Sequence, residues 1–192
     1  MAARSDLPKY TVPSLTPEEG AQVAGILQER LHALNDLQLT LKHIHWNVVG
    51  PHFIAVHEMI DPQVDAVRAM VDATAERIAT LGVSPQGTPG ALVAARTWED
   101  YSLGRASTIA HLGALDEVYV GVITAPREAA AAPEELDDVT SDRLIGHLHD
   151  LELFHWFVRA HLESTGGDLS TEGARTEAGA ARKAEEAAAG QP

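Results

Sequence analysis

Residues 53–81 read FIAVHEMIDPQVDAVRAMVDATAERIATL. Apolar residues recur at helical spacing and helix formers dominate, which predicts one long helix from Phe53 to Leu81. At about 100° per residue, His57, Asp61, Asp72 and Glu76 project at roughly 0°, 40°, 60° and 100° around its axis, so all four lie on one stripe. A rise of about 1.5 Å per residue, however, puts Asp61 and Asp72 roughly 16 Å apart. First-row metals take nitrogen and oxygen ligands at about 2 Å, so His57/Asp61 and Asp72/Glu76 cannot hold one ion within a single chain. A second copy packed antiparallel about a two-fold axis near Val67 brings each His57/Asp61 pair to the acidic pair of its partner, and isologous dimers are the commonest oligomeric contact. Taken singly, either pair reads as a polar helix face. Two pairs on one stripe, interleaved with Ile60, Val64 and Val71, read as a metal site divided between subunits.

An earlier helix begins at Thr16-Pro17-Glu18-Glu19, an N-cap, a proline at the first position and a glutamate closing a capping box, and it stops at Gly50-Pro51. Leu27, Leu34, Leu41 and Val48 form its apolar stripe, flanked by Leu37 and Ile44. His45 shares the azimuth of Leu27 and so points into the packed interface. A histidine there either bonds a carbonyl as an ordinary core residue or ligates metal, and the acidic pairs carried past that face by an antiparallel second helix favour ligation.

The rest of the chain agrees with a helical bundle. Its 192 residues, 45% apolar and 22% charged, suffice for one sizeable core, and 5% aromatics with abundant alanine suit close helix packing better than a sheet. Gly82 to Gly90 reads as loop, with Pro85, Gly87 and Pro89 as breakers, followed by a short helix from Ala91 to Arg96. A third long helix is expected from about Tyr101 to Ala131, weakened or kinked by Gly113, Gly121 and Pro126, and a fourth from about Ser141 to Ser164, closed by Gly166-Gly167. Pro62 marks a local irregularity within the second helix. The expected divisions are an N-terminal arm (1–16), the bundle (17–167) and a flexible C-terminal tail (168–192). The chain contains no cysteine, and no secretory apolar segment or bilayer-length apolar run is present, so a soluble cytoplasmic protein is expected. Absence of cysteine also removes thiols that an oxidant could modify.

Several spaced motifs now carry a resemblance. Lys42-His43-Ile44-His45-Trp46-Asn47, Gly50, Phe53, His57-Glu58-Met59-Ile60-Asp61, Asp72 and Ala75-Glu76-Arg77-Ile78 resemble the Dps family of mini-ferritins. So do Gly82-x-x-Pro85, Asp137-Asp138-Val139-Thr140-Ser141-Asp142 and Trp156-Phe157, over roughly Pro17 to Gly167 and in the same order, closest to actinobacterial members with C-terminal extensions. The resemblance implies an all-α, ferritin-like four-helix bundle with a short extra helix between helices two and three, assembled into a hollow dodecamer that stores iron. It also implies a ferroxidase centre between two-fold-related subunits, with His45, His57 and Asp61 from one chain and Asp72 and Glu76 from the other. Trp46 and Lys42 correspond to positions beside the centre, where the family's tryptophan intercepts one-electron oxidants. Fe²⁺ is then oxidised, by hydrogen peroxide in preference to dioxygen, and the ferric product mineralises in the cavity; paired irons pass two electrons to one peroxide without releasing hydroxyl radical. Asp142, with Asp138 and Glu134 or Glu135, resembles the acidic three-fold pore that draws Fe²⁺ inward, although Pro133 stands where some relatives carry a second pore aspartate.

A formal charge of −14 per chain sums to about −168 over the twelve copies that the resemblance implies, which repels nucleic acid unless basic segments are segregated outside; an acidic inner wall would concentrate iron cations, the alternative being a solvated acidic surface that keeps the protein soluble. DNA binding, which gives the family its name and would associate the protein with the nucleoid, usually depends on basic tails. Here residues 168–192 hold Arg175, Arg182 and Lys183 against five carboxylates, a net of −2. The arm offers Arg4 and Lys9 against Asp6. So few cations give at best a weak, salt-sensitive contact, to which twelve tails add avidity. A rival reading is a nucleoid-compacting protein with secondary iron chemistry.

Another rival is an intrasubunit di-iron carboxylate protein built on Glu152-x-x-His155, whose histidine projects into the stripe of Leu144, Leu151, Val158 and Leu162. Such a site needs a second Glu-x-x-His pair, and Glu29-x-x-His32 points roughly 140° from its helix's stripe. His155 is therefore expected as a hydrogen-bonded core residue, and His147 and His149, two apart, face different directions.

Overall fold

The hydroxyl of Thr16 accepts from the backbone N–H of Glu19 at 3.2 Å, and the Glu19 carboxylate accepts from that of Thr16 at 2.8 Å. This reciprocal box starts α1 (Pro17–Asn47) where the sequence placed it. In the computed structural model, which describes residues 7–134 and 137–190 and only the backbone of 125–134, α1 runs into a two-residue strand, β1 (Val48–Val49). A turn at residues 50–52 then reverses the chain into α2 (Phe53–Thr80), which packs along α1. α2 stays continuous through Pro62. Pro62 and Glu58 are both exposed, so the missing N–H falls on the solvent side, where water can serve the Glu58 carbonyl.

After α2 come α3 (Pro89–Ala95), N-capped by Thr88, and β2 (Ala106–Ser107), which pairs in parallel with β1 in the register Val48↔Ala106. α4 (Thr108–Glu134), α5 (Asp138–Leu162) and α6 (Glu177–Ala189) complete the chain. Two boundaries differ from the sequence expectation. The third long helix begins at Thr108 rather than Tyr101, because Ala106 and Ser107 are taken up by the strand pair and the Ser107 hydroxyl accepts from the Ala110 N–H at 3.2 Å. It then runs through Gly113, Gly121 and Pro126 without a break. The last bundle helix starts at Asp138 rather than Ser141, after Asp137, whose carboxylate is fixed by Arg77 of α2 at 2.5 Å.

The core lies between the α1/α2 and α4/α5 pairs. Leu41 and Ile44 of α1, Ile60 and Val67 of α2, Leu115 and Tyr119 of α4 and Val158 of α5 are all fully buried in it. Burial of each such aliphatic side chain stabilises the fold by about 1.5–3 kcal/mol before conformational entropy is counted. Gly82, at φ +85°, ends α2 where the arm crosses it; a Cβ there would sit 2.1 Å from the carbonyl oxygen of Tyr10.

The C-terminal tail, expected to be flexible, folds back instead. Ala180, Ala181 and Ala184 of α6 are buried against α4. A Cβ at Gly113 would lie 2.7 Å from the Ala180 carbonyl oxygen, so this glycine is the point of closest approach rather than a kink. Glu177 accepts from the Ser102 N–H at 2.8 Å and Glu185 from the Ser107 hydroxyl at 2.8 Å. Alanine at successive turns is what lets the helix sit this close, whereas composition alone reads as a solvated tail. No helix among the described residues is long and apolar enough to cross a membrane.

Candidate metal centre

The tight turn between α1 and α2 brings the last turn of one helix against the first turn of the next, and His45 and His57 meet there. Their rings stack with centroids 3.6 Å apart. Nδ1 of His45 lies 3.1 Å from the His57 carbonyl oxygen, and Nδ1 of His57 lies 2.9 Å from that of His45. A carbonyl can only accept, so each Nδ1 carries the hydrogen and each Nε2 keeps its lone pair. Neither Nε2 has a hydrogen-bond partner among the described residues. Metal-ligating histidines characteristically spend one ring N–H on a carbonyl in this way, which fixes the tautomer and aims the other nitrogen.

Asp61, one turn along α2, joins the pair. Its Oδ1 is 3.1 Å from Nδ1 of His45 and 2.7 Å from Nζ of Lys42. The Lys42 hydrogen bond, helped by His45, holds the Asp61 carboxyl below the usual carboxylate range. His45 is only 8% exposed, whereas the Asp61 side chain is 49% exposed. The group thus opens from a buried imidazole towards a surface carboxylate.

Asp72 and Glu76 are exposed on the same helix and have no hydrogen bond or ion pair among the described residues. Because α2 is unbroken, the axial separations from Asp61, roughly 16 Å to Asp72 and roughly 22 Å to Glu76, stand. Among the described residues, no group of three or more His, Cys, Asp and Glu side chains is arranged to hold a metal ion within the one chain. The structure therefore joins His45, His57, Asp61 and Lys42, and leaves the acidic pair apart.

Large apolar side chains are exposed on the two helices that carry this group. Trp46 is 71% exposed, Leu39 57% and Ile54 58%, and the Phe53 ring lies 4.9 Å from that of His57. Leu39 and Ile54 were not singled out from the sequence; the spacing of Leu39, Lys42 and Trp46 along one face of α1 was the available signal. Large exposed apolar side chains beside a charged cluster are characteristic of an interaction surface.

Asp138 and Asp142 are exposed one turn apart at the start of α5. The side chain of Glu134 and the whole of Glu135 lie outside the described residues. Asp137 has a separate part. Burial alone would raise its pKa, but hydrogen bonds from Thr140 and Arg77 outweigh burial and hold its carboxyl below the usual range. Arg77, next to Glu76, thereby ties the acidic end of α2 to the start of α5.

Three further histidines lie away from this group. His155 Nε2 lies 2.6 Å from Oδ1 of buried Asp116, which also accepts from Arg159 at 2.9 Å and, through Oδ2, from the Thr171 hydroxyl at 2.7 Å. It is a hydrogen-bonded core residue, as the sequence indicated. His32 Nε2 sits 2.9 Å from the Gln86 carbonyl oxygen. Burial pulls His147 down to about 4, so it is neutral.

Comparison with known proteins is consistent over most of the chain. A family model described as a ferritin-like domain matches residues 24–166. A "DNA protection during starvation protein" of Mycolicibacterium smegmatis is 59% identical over 175 residues, 91% of this chain and 96% of the relative. Among solved structures, "Mycobacterium smegmatis Dps" superposes with a TM-score of 0.86 at 58% identity, covering 87% of this chain and 95% of the other. "DpsA14 from Streptomyces coelicolor" gives 0.84 at 67% identity, covering 85% and 98%.

Proposed function

The chain belongs to the Dps family of ferritin-like proteins, and from that premise we propose that it is a ferroxidase and iron-storage protein whose catalytic sites form between subunits of a hollow homododecamer. The observation that carries this reading is the mutual locking of His45 and His57, which leaves both Nε2 atoms without a hydrogen-bond partner among the described residues, while Asp61 lies against Nδ1 of His45 and the complementary carboxylates, Asp72 and Glu76, lie too far along the same helix to join them.

Fe²⁺ is the substrate. Neutral imidazoles and carboxylates suit it, and the harder oxygen donors favour the ferric product. His45 and His57 present preset lone pairs, so little ordering is required on binding. Lys42 holds the Asp61 carboxylate in its ionised form before iron arrives. Asp72 and Glu76 of the partner subunit would close the site and supply two further negative charges. The exposed side chains of Leu39, Trp46, Phe53 and Ile54 are the surface that this pairing would cover, excluding water from the metal. Asp138 and Asp142, which resemble the family's pore residues, would attract Fe²⁺ towards the cavity, where ferric product mineralises. Hydrogen peroxide is the oxidant the family reading favours over dioxygen.

The relative's name also supports DNA protection. Direct contact through the tail has few cations to draw on: Lys183 donates to the Glu172 carbonyl at 2.5 Å and Arg182 pairs with Glu186 at 3.7 Å. Oxidant and iron removal is therefore the stronger route to protecting DNA. Stopped-flow oxidation of Fe²⁺ by peroxide, with particle mass measured on the same sample, tests the reading. Rapid oxidation by a particle of about twelve subunits is expected; a monomer as active as the assembled particle contradicts it.

A further inference from the structure

One pair of titratable side chains, His111 fully buried and Tyr101 partly so, has no part in the iron site described above. The hydroxyl of Tyr101, in the loop before β2, lies 3.0 Å from Nδ1 of His111 in α4, and their rings lie almost parallel. His111 is completely buried. Its Nε2 has no hydrogen-bond partner among the described residues, although the Asn47 and Gly104 carbonyls adjoin the ring and favour its protonated form. Burial lowers the His111 pKa, so the ring starts neutral with a lone pair to offer, and burial raises that of the Tyr101 phenol, so the phenol starts protonated. The Tyr101 ring also packs edge-on against His43, with centroids 5.8 Å apart. His43 belongs to α1, adjacent in sequence to Lys42 and one turn from Trp46. About one helix diameter, on the order of 10 Å, therefore separates this ring from the metal stripe of α1.

A phenol hydrogen-bonded to a neutral imidazole can lose an electron without creating a buried phenol cation, because its proton has somewhere to go. The three tyrosines of the chain differ in this respect. Tyr119 donates to the amide oxygen of Gln63 at 2.6 Å, which is no base, and Tyr10 is 67% exposed. We propose that Tyr101 and His111 form a proton-coupled one-electron donor, poised against oxidants of the hydroxyl-radical class that arise when a single ferrous iron, without its pair, meets peroxide. Tyr101 gives up one electron and transfers its phenolic proton to Nδ1 of His111. The products are a neutral phenoxyl radical and an imidazolium; the electron converts hydroxyl radical to hydroxide. The source of the oxidant rests on the ferroxidase reading, whereas the donor itself does not.

Pulse radiolysis of the full-length, iron-free protein separates the two. Azide radical oxidises exposed tryptophan, and the tryptophanyl signal is followed as it passes to tyrosine. A first-order rise of tyrosyl radical is expected, absent in Tyr101→Phe, retained in Tyr119→Phe and slowed about tenfold or more in His111→Asn. An undiminished tyrosyl yield in Tyr101→Phe, or an unchanged rate in His111→Asn with native helicity, overturns the proposal. In a parallel arm, electron paramagnetic resonance after Fe²⁺ and peroxide should show the same Tyr101-dependent radical. If iron is not oxidised in that arm while the radiolysis result holds, the ferroxidase reading fails and the redox pair stands. A Tyr101-independent radical with normal iron oxidation has the opposite meaning.

Discussion

His45 and His57 hold each other's imidazole in place: each donates Nδ1–H to the other's backbone carbonyl, at 3.1 and 2.9 Å, across rings stacked 3.6 Å apart. The reciprocity means that removing either ring also releases the other. His57→Ala is expected to slow Fe²⁺ oxidation by about tenfold to a hundredfold, the range seen when histidine orientation at a metal site is lost. Stopped-flow absorbance checks it; an unchanged rate removes His57 from the site.

Trp46, Leu39 and Ile54 lie exposed on the two helices that carry the same group. A charge placed at these positions must be desolvated if a second subunit covers it. Leu39→Glu with Ile54→Glu is therefore expected to reduce the particle mass while helicity by circular dichroism stays native. Light scattering gives the mass, and an unaltered particle places the subunit contact elsewhere.

Asp116 joins α5 to the C-terminal segment. Burial alone would raise its pKa, but hydrogen bonds from His155, Thr171 and Arg159 outweigh burial and hold it at about 2. A depressed carboxylate stabilises the fold above its unfolded value near 3.8 and loses that contribution as pH falls through about 2. Asp116→Asn should cost on the order of 2 kcal/mol at neutral pH. Denaturant titrations should show that difference holding above about pH 4 and closing towards pH 2. A difference independent of pH over that window contradicts the assignment.

At Gly113 the backbone of α6 approaches α4 so closely that a methyl group has no room. Gly113→Ala is expected to destabilise the α4–α6 contact by about 1–3 kcal/mol, as overpacking does. Limited proteolysis should then release the tail first, with the bundle intact; equal resistance in the variant and the parent contradicts the packing.

The bundle was legible because its signals are local. Thr16 and Glu19 close a capping box within one turn, and the stripes of α1 and α2 follow helical spacing. The division of the five candidate ligands was likewise arithmetic along a single helix. What escaped the sequence depends on contacts between distant segments. The start of α4 is set by pairing Ala106 with Val48, and that of α5 by Arg77 reaching Asp137. An alanine-rich, charged tail looks solvated until Gly113 is seen to admit it. The histidine lock was equally hidden, since its acceptors are carbonyls that every residue possesses.

Complementation between two defective chains tests the shared site most directly. One chain carries His57→Ala with Asp61→Ala, the other Asp72→Ala with Glu76→Ala. Each alone should form an intact shell without rapid ferroxidation. After co-assembly from dissociated subunits, mixed pairs carry one intact site and one doubly damaged site, so random pairing should restore about a quarter of the parent's activity. No recovery in demonstrably mixed particles, or full activity in either variant alone, contradicts a metal centre built from His45, His57 and Asp61 of one subunit and the acidic pair of its neighbour.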